Sequence, residues 1–294
     1  MKSYNKIPTL RLRPRDAHKG GMGRVLVIAG CLRMPGAAFL AGQAASRAGA
    51  GLVTIACAEP LLPVLGAKVT VQTLLPLIAT TNGVIKKAAV REIVENLGRF
   101  DAVALGPGLS AESDAQDFVR NVLLRIDKPL VLDADGLNAI VNDPGIVKKR
   151  DKATILTPHP GEAARLLGVQ DSEERKKLQQ DRRDTALRLV KLTGGVILLK
   201  GAETIVTDGS RIYINHTGNP GMATGGTGDV LTGIAAALLA RGMDAFEAAV
   251  LAAHVHGRAG DLAAGQIGED GMLATDILER IPAAIRERIR RRSF

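Results

Sequence analysis

Between Thr217 and Asp229 the chain reads T-G-N-P-G-M-A-T-G-G-T-G-D, five glycines running into one acidic residue, and an apolar run from Val230 to Leu239 follows directly. Backbone that must approach a phosphate closely favours glycine, and Gly225, Gly226 and Gly228 around Thr227 meet that demand. The apolar run reads as a helix, so unpaired N–H groups and a positive dipole end converge on the loop and make an anion hole of residues 225 to 228. A carboxylate beside a phosphate repels its ligand unless it accepts a proton or meets a metal, which are the chemical roles open to Asp229. The bland alternative is that Asp229 only caps the helix.

Other segments carry chemistry of the same kind. In M-P-G-A-A (Met34 to Ala38), Gly36, Ala37 and Ala38 start a helix with almost no side chain, which suits a ligand lying on the backbone or close helix packing. Leu105 to Leu109 (L-G-P-G-L) is a strand ending in a rigid turn around Gly108. Leu132 to Asn138 (L-D-A-D-G-L-N) places Asp133 and Asp135 at another strand end, where such a pair holds magnesium or caps a helix. In T-P-H-P-G-E two prolines fix the backbone around His159, and Glu162 opens the next helix in reach of the same crevice. Histidine here is either structural or a ligand contact. Lys200 leaves a buried strand into a turn, K-G-A-E-T, a placement suited to a nucleotide phosphate. The segment H-K-G-G-M-G (His18 to Gly23) precedes its strand, whereas a dinucleotide-binding glycine fingerprint follows one, so a Rossmann assignment fails on position.

The elements that must position these groups follow from periodicity. Strands are expected at Val25 to Ala29, Leu52 to Ala56, Ala102 to Leu105, Leu130 to Leu132, Thr154 to Leu156 and Val196 to Leu199. Helices are expected at Ala37 to Ala48, Lys86 to Leu97 and Ala115 to Arg125. Such alternation implies an α/β fold with a mostly parallel sheet covered on both faces. Thr204 to Thr207 and Arg211 to Asn215 flank Asp208-Gly209-Ser210 as a hairpin, and from Gly228 onward all reads helical except Gly265 to Gly271. Open α/β sheets bind ligands at the carboxyl ends of their strands, where these motifs lie.

Composition narrows the function. The 294 residues are 46% hydrophobic and 2% aromatic with no tryptophan, ample for a core and poor for stacking on single-stranded nucleic acid. Part of the net charge of +9 sits in Arg286 to Arg292, read as a solvated helix end; the remainder suits an anionic small molecule. Cys31 and Cys57 are too few for a disulfide framework and read as buried thiols. The first twenty residues lack an apolar stretch of signal-peptide length and no run reaches membrane-spanning length, so the expected location is cytoplasmic.

Taken in order, H-K-G-x-x-G, M-P-G-A-A, L-G-P-G-L, L-D-A-D-x-L-N, T-P-H-P-G-E, K-G-A-x-T and N-P-G-M-A-T-G-G-T-G-D-V-L-T-G resemble the ADP/ATP-dependent NAD(P)H-hydrate dehydratase family of the ribokinase-like superfamily, over His18 to about Ile281. The resemblance implies a lyase that repairs hydrated NADH and NADPH at the expense of ADP, releasing AMP and phosphate. It implies Asp229 as base and substrate contact, with Ala38, Gly108 and His159 lining the hydrated-nicotinamide pocket. Lys200, Gly201, Ala202, Glu203, Thr204 and Gly228 would hold the ADP or ATP, with Mg²⁺ as cofactor and Asp133 and Glu162 as candidate ligands. Kinases of hydroxyethylthiazole and hydroxymethylpyrimidine share this fold and a G-x-G-D loop, and are the alternative function. His159 stands where the thiazole kinases carry Asn, which favours the dehydratase. A nucleotide sensor without turnover is the non-catalytic alternative, against which intact Lys200, Gly228 and Asp229 argue. Many family members carry an N-terminal epimerase domain. Fewer than twenty-five residues precede the first expected strand, so residues 1–294 are expected to be a single dehydratase domain, paired with a separately supplied epimerase. A homotetramer is the assembly the family implies.

Overall fold

In the computed structural model, which describes residues 1–289, all strands join one ten-stranded sheet. In chain order they are β1 (Lys2–Ser3), β2 (Arg24–Ile28), β3 (Leu52–Ala58), β4 (Thr73–Leu77), β5 (Ala102–Leu105), β6 (Leu130–Leu132), β7 (Thr154–Leu156), β8 (Val196–Leu199), β9 (Ile205–Thr207) and β10 (Arg211–Ile214). Their spatial order is β1-β10-β9-β8-β7-β6-β5-β2-β3-β4. From β4 to β8 every pairing is parallel, while β9 runs antiparallel to both β8 and β10. Every residue of β5 to β8 is buried, as a sheet covered on both faces requires. The expected hairpin forms because the Asp208 carboxylate accepts from the Ser210 and Arg211 N–H groups and folds the turn over itself. Edge strand β4 was not anticipated: Pro76 argues against a strand, yet an edge position tolerates the missing N–H.

The helices are α1 (Pro35–Arg47), α2 (Leu62–Gly66), α3 (Val90–Asn96), α4 (Ser113–Leu123), α5 (Asp135–Asn138), α6 (Pro160–Leu166), α7 (Ser172–Gln180), α8 (Arg182–Thr193), α9 (Thr227–Ala240), α10 (Ala245–Ile267) and α11 (Ala274–Arg286). Helices α1, α9, α10 and α11 pack together as one layer, and α3 to α8 form the other. The helix expected over Lys86 to Leu97 is instead a 3₁₀ turn, the short α3 and a second 3₁₀ turn. No helix among the described residues is long and apolar enough to cross a membrane. Cys31 and Cys57 are free and buried, and burial pushes the Cys57 thiol up to about 11. Of the basic run Arg286 to Arg292, the part beyond Ile289 lies outside the described residues.

Helix α9 matters most to the site because its first turn carries the glycine loop. It is buried from Val230 to Ala240, held between the sheet and α1 and α10. Gly233 permits this: a Cβ there would run into the Ala41 carbonyl and the Ala44 methyl of α1. Gly233→Ala is therefore expected to destabilise the fold by about 1–3 kcal/mol, the usual cost of overpacking. Urea denaturation read by circular dichroism checks this, with a lower midpoint expected.

Candidate active site

The carboxyl ends of β2, β5, β6, β7 and β8 face one crevice, and the amino end of α9 closes it. Gly226 is the N-cap of α9 in the left-handed conformation (φ +89°), a backbone state only glycine takes freely. From Gly225 to Asp229 no backbone N–H meets an acceptor among the described residues, which leaves a cluster of donors for an anion. Helix α1 opens in the same way after β2: the N–H groups of Gly36, Ala37 and Ala38 meet no acceptor among the described residues. The Ala38 methyl is buried toward Gly30, so any ligand contact from Ala38 comes through its backbone. Gly108 packs against Met34 and Ala37, bringing the L-G-P-G-L turn onto the start of α1.

Four acidic groups and one lysine meet beside this loop. Asp133, 1% exposed, accepts from Lys200 Nζ through Oδ1 (2.8 Å) and from the Thr232 hydroxyl through Oδ2 (2.7 Å). Lys200 Nζ also lies 3.8 Å from Glu162 Oε2 and 3.3 Å from where a Cβ on Gly228 would be. Burial alone would lower the Lys200 ammonium, but Asp133 and Glu162 outweigh it and raise it, so it stays charged. Glu162 is raised by burial, against the pull of Lys200. Asp229, third residue of α9, is pushed up to about 7 by burial and then by Asp133, with Lys200 opposing. A carboxyl at that value is poised to exchange a proton at neutral pH, which simple helix capping does not require. Asp135 serves the scaffold: it accepts from the Ser110 N–H (2.8 Å) and from Asn138 Nδ2 (3.2 Å), tying the β5 turn to α5.

His159 is the N-cap of α6. Its Nδ1 accepts from the Gly161 and Glu162 N–H groups, while Glu162 Oε2 accepts from the His159 N–H, a reciprocal capping box. The ring proton therefore belongs on Nε2. Burial, then Lys200 and Arg165, lower His159, so at neutral pH the ring is uncharged and carries one N–H, on Nε2, 3.5 Å from Glu162 Oε1.

A cavity of about 690 Å³ opens beside the loop, and Lys200, Gly201, Ala202, Glu203, Thr204 and Gly228 all line it. Residues that sequence reasoning missed hold these groups in place. Arg182 donates to the Leu199 and Lys200 carbonyls from behind the K-G-A-E-T turn. Asp261 of α10 accepts from the Gly218 N–H and Asn219 Nδ2, pinning the start of the glycine loop. Thr232, the one hydroxyl among apolar neighbours one turn after Asp229, was the legible signal of the three. The H-K-G-G-M-G segment is not in this crevice: Gly51, just before β3, packs on the Lys19 carbonyl at the opposite edge of the sheet.

Among the described residues no three His, Cys, Asp or Glu side chains converge as a metal cage. Magnesium carried on nucleotide phosphates needs only one or two carboxylates, and Asp133 and Glu162 can supply that number, the former through water because both its oxygens are engaged.

Comparison with known proteins gives the same architecture. A family model described as NAD(P)H-hydrate dehydratase matches residues 25–283. The bifunctional NAD(P)H-hydrate repair enzyme Nnr of Moorella thermoacetica is 43% identical over 276 residues, covering 93% of this chain and 51% of that protein. That of Escherichia coli is 38% identical, covering 92% of this chain and 49% of the relative. The chain thus spans about half the length of the curated relatives it matches. The ADP/ATP-dependent NAD(P)H-hydrate dehydratase of Bacillus subtilis, crystallised with ATP and Mg²⁺, superposes with a TM-score of 0.80 at 30% identity, covering 97% of this chain and 99% of that one. A ribokinase-like superfamily protein of Enterococcus faecalis superposes at 0.79 with 25% identity, over 96% of this chain and 93% of its own. With a ribokinase-like sheet, a G-T-G-D loop at its carboxyl edge and a family match over most of its length, the chain belongs to the NAD(P)H-hydrate dehydratase family.

Proposed function

We propose that this protein is an ADP-dependent dehydratase that returns hydrated NADH and NADPH to the reduced cofactors, releasing AMP and phosphate. The observation that carries this reading is Asp229, held at about 7 beside a cluster of unpaired N–H donors. Hydroxide is a poor leaving group, and phosphorylation makes it a good one. Asp229 takes the proton of the ring hydroxyl as that oxygen attacks the terminal phosphoryl of ADP, and AMP departs. The N–H groups of Gly225 to Gly228 stabilise the charge that develops on the phosphoryl oxygens. Mg²⁺, when bound, screens the phosphate charge. The ring nitrogen lone pair then breaks the C–O bond, phosphate leaves, and loss of a proton from the adjacent carbon restores the dihydropyridine. His159 Nε2–H, the Gly108 turn and the Ala38 N–H orient the nicotinamide end, and Lys200 to Thr204 with Gly228 hold the nucleotide.

The test mixes protein, hydrated NADH, ADP and Mg²⁺ and follows the return of dihydronicotinamide absorbance with equimolar AMP and phosphate. A stable phosphorylated product without absorbance recovery would instead identify a vitamin-precursor kinase, and nucleotide binding without phosphate release a sensor. ATP in place of ADP, and hydrated NADPH in place of hydrated NADH, rank the preferences. An NAD(P)H-hydrate epimerase is the expected functional partner, and a homotetramer with a cytoplasmic location completes the proposal. His159→Ala is expected to raise the KM for the hydrate by about tenfold, the loss of one donor to the substrate, with the KM for ADP unchanged. Steady-state kinetics with each substrate varied in turn checks this.

A further inference from the structure

We propose that Arg165 is a substrate-specificity residue whose guanidinium binds the phosphate next to the nicotinamide ribose of the hydrated dinucleotide. The proposal rests on hydrated NAD(P)H being the substrate. Arg165 lies on α6, and its side chain folds back toward the start of that helix. Nη1 is 3.8 Å from where a Cβ on Gly161 would sit, and that same point is 2.8 Å from His159 Cε1. Guanidinium and imidazole therefore flank one glycine at the crevice rim.

The side chain is also anchored, unlike an ordinary surface arginine. Nε donates to Asn138 Oδ1 (3.1 Å), and Asn138 is held in turn by Asp135, the residue that fixes the β5 turn. Neither Nη nitrogen meets an acceptor among the described residues. Glu162, the nearest carboxylate on the same helix, is turned inward to the His159 N–H and Lys200. What remains is an oriented fork of N–H donors with its charge unpaired, the geometry that takes a phosphate through two oxygens. Arg165 does not line the cavity that Lys200 to Thr204 form. In the hydrated dinucleotide one ribose separates the nicotinamide ring from its first phosphate, so a ring held at His159 with its ribose toward Arg165 brings that phosphate to the guanidinium.

The experiment compares Arg165→Gln with the natural protein on three hydrates under saturating ADP and Mg²⁺: those of NADH, of reduced nicotinamide mononucleotide and of reduced nicotinamide riboside, which has no phosphate. Arg165→Gln is expected to raise the KM about 10- to 100-fold for the two phosphorylated hydrates, the loss of charge-assisted bonds. The riboside hydrate, kcat and the KM for ADP stay within about twofold. Arg165→Lys, which keeps the charge but loses the Nε anchor and the fork, falls between the two, and equal melting temperatures establish that both variants are folded. An equal loss with the riboside hydrate would overturn the proposal, since Arg165 would then act only by holding Asn138 and His159. A loss confined to ADP, or no loss at all, would overturn it too. A natural protein inert toward all three hydrates would instead overturn the dehydratase reading.

Discussion

Asp229→Asn is expected to lower kcat by about 10²- to 10⁴-fold, the range over which general-base catalysis contributes. Asparagine preserves the shape of the first turn of α9 and removes only the proton acceptor. In the natural protein kcat/KM should climb about tenfold per pH unit below pH 7 and level off above it, because the carboxyl at about 7 must be ionised to act. In Asp229→Asn that limb disappears. A residual rate within tenfold of the natural protein, or an unchanged acid limb, would remove Asp229 from the base role.

The same substitution has a stability signature of opposite sign. A carboxyl raised from 3.8 to about 7 favours the folded state while protonated and disfavours it once ionised, so this contribution is fully present below about pH 4 and lost as pH rises through 7. Above pH 7 the natural protein gives up on the order of 4 kcal/mol relative to a neutral side chain of the same shape. Asp229→Asn should therefore melt higher than the natural protein at pH 8, with the gap closing at pH 4 to 5. Activity and stability are then expected to move in opposite directions at one residue, as the base role proposed for a carboxylate forced into a buried position predicts.

The second large effect concerns Lys200. Its ammonium is the cation between Asp133, Glu162 and Asp229, so Lys200→Met leaves like charges facing one another in a buried site. Breaking one side of a buried ion pair costs about 3–5 kcal/mol. Without the cation Glu162 and Asp229 rise further, so this loss is small when they are protonated and grows as pH rises through their range. Chemical denaturation at pH 5 and pH 8 reads that difference. The kinetic profile provides an independent check. Lys200 holds Asp229 down and Asp133 pushes it up, so the acid limb should move to higher pH in Lys200→Met and to lower pH in Asp133→Asn. Shifts in the same direction would mean that Asp229 does not sense this network.

Much of the frame was legible from local pattern. The strands at Ala102–Leu105, Leu130–Leu132, Thr154–Leu156 and Val196–Leu199 fall where the apolar runs lie, because each is buried on both faces and is broken by Gly106, Asp133, Thr157-Pro158 or Lys200. The start of α9 was read slightly late, at Val230 rather than Thr227, since glycines and a threonine open it without a side-chain cap. Strand β4 was not read, because Pro76 is acceptable only once the strand is known to be an edge.

By itself, the sequence determined which chemical groups stand at the ends of which strands, since strand length, turn residues and helix starts depend on neighbours a few positions away. It also carried the order of motifs that marks the family. The partners of those groups were decided only by tertiary structure. Asp133 stood open between metal ligand and cap until β8 and α9 brought Lys200, 67 residues on, and Thr232, 99 residues on, to its two oxygens. The value near 7 at Asp229 likewise belongs to no local motif. It comes from removing water by packing α9 against the sheet and α1, and from placing Asp133 and Lys200 beside it, and both depend on how distant parts of the chain meet.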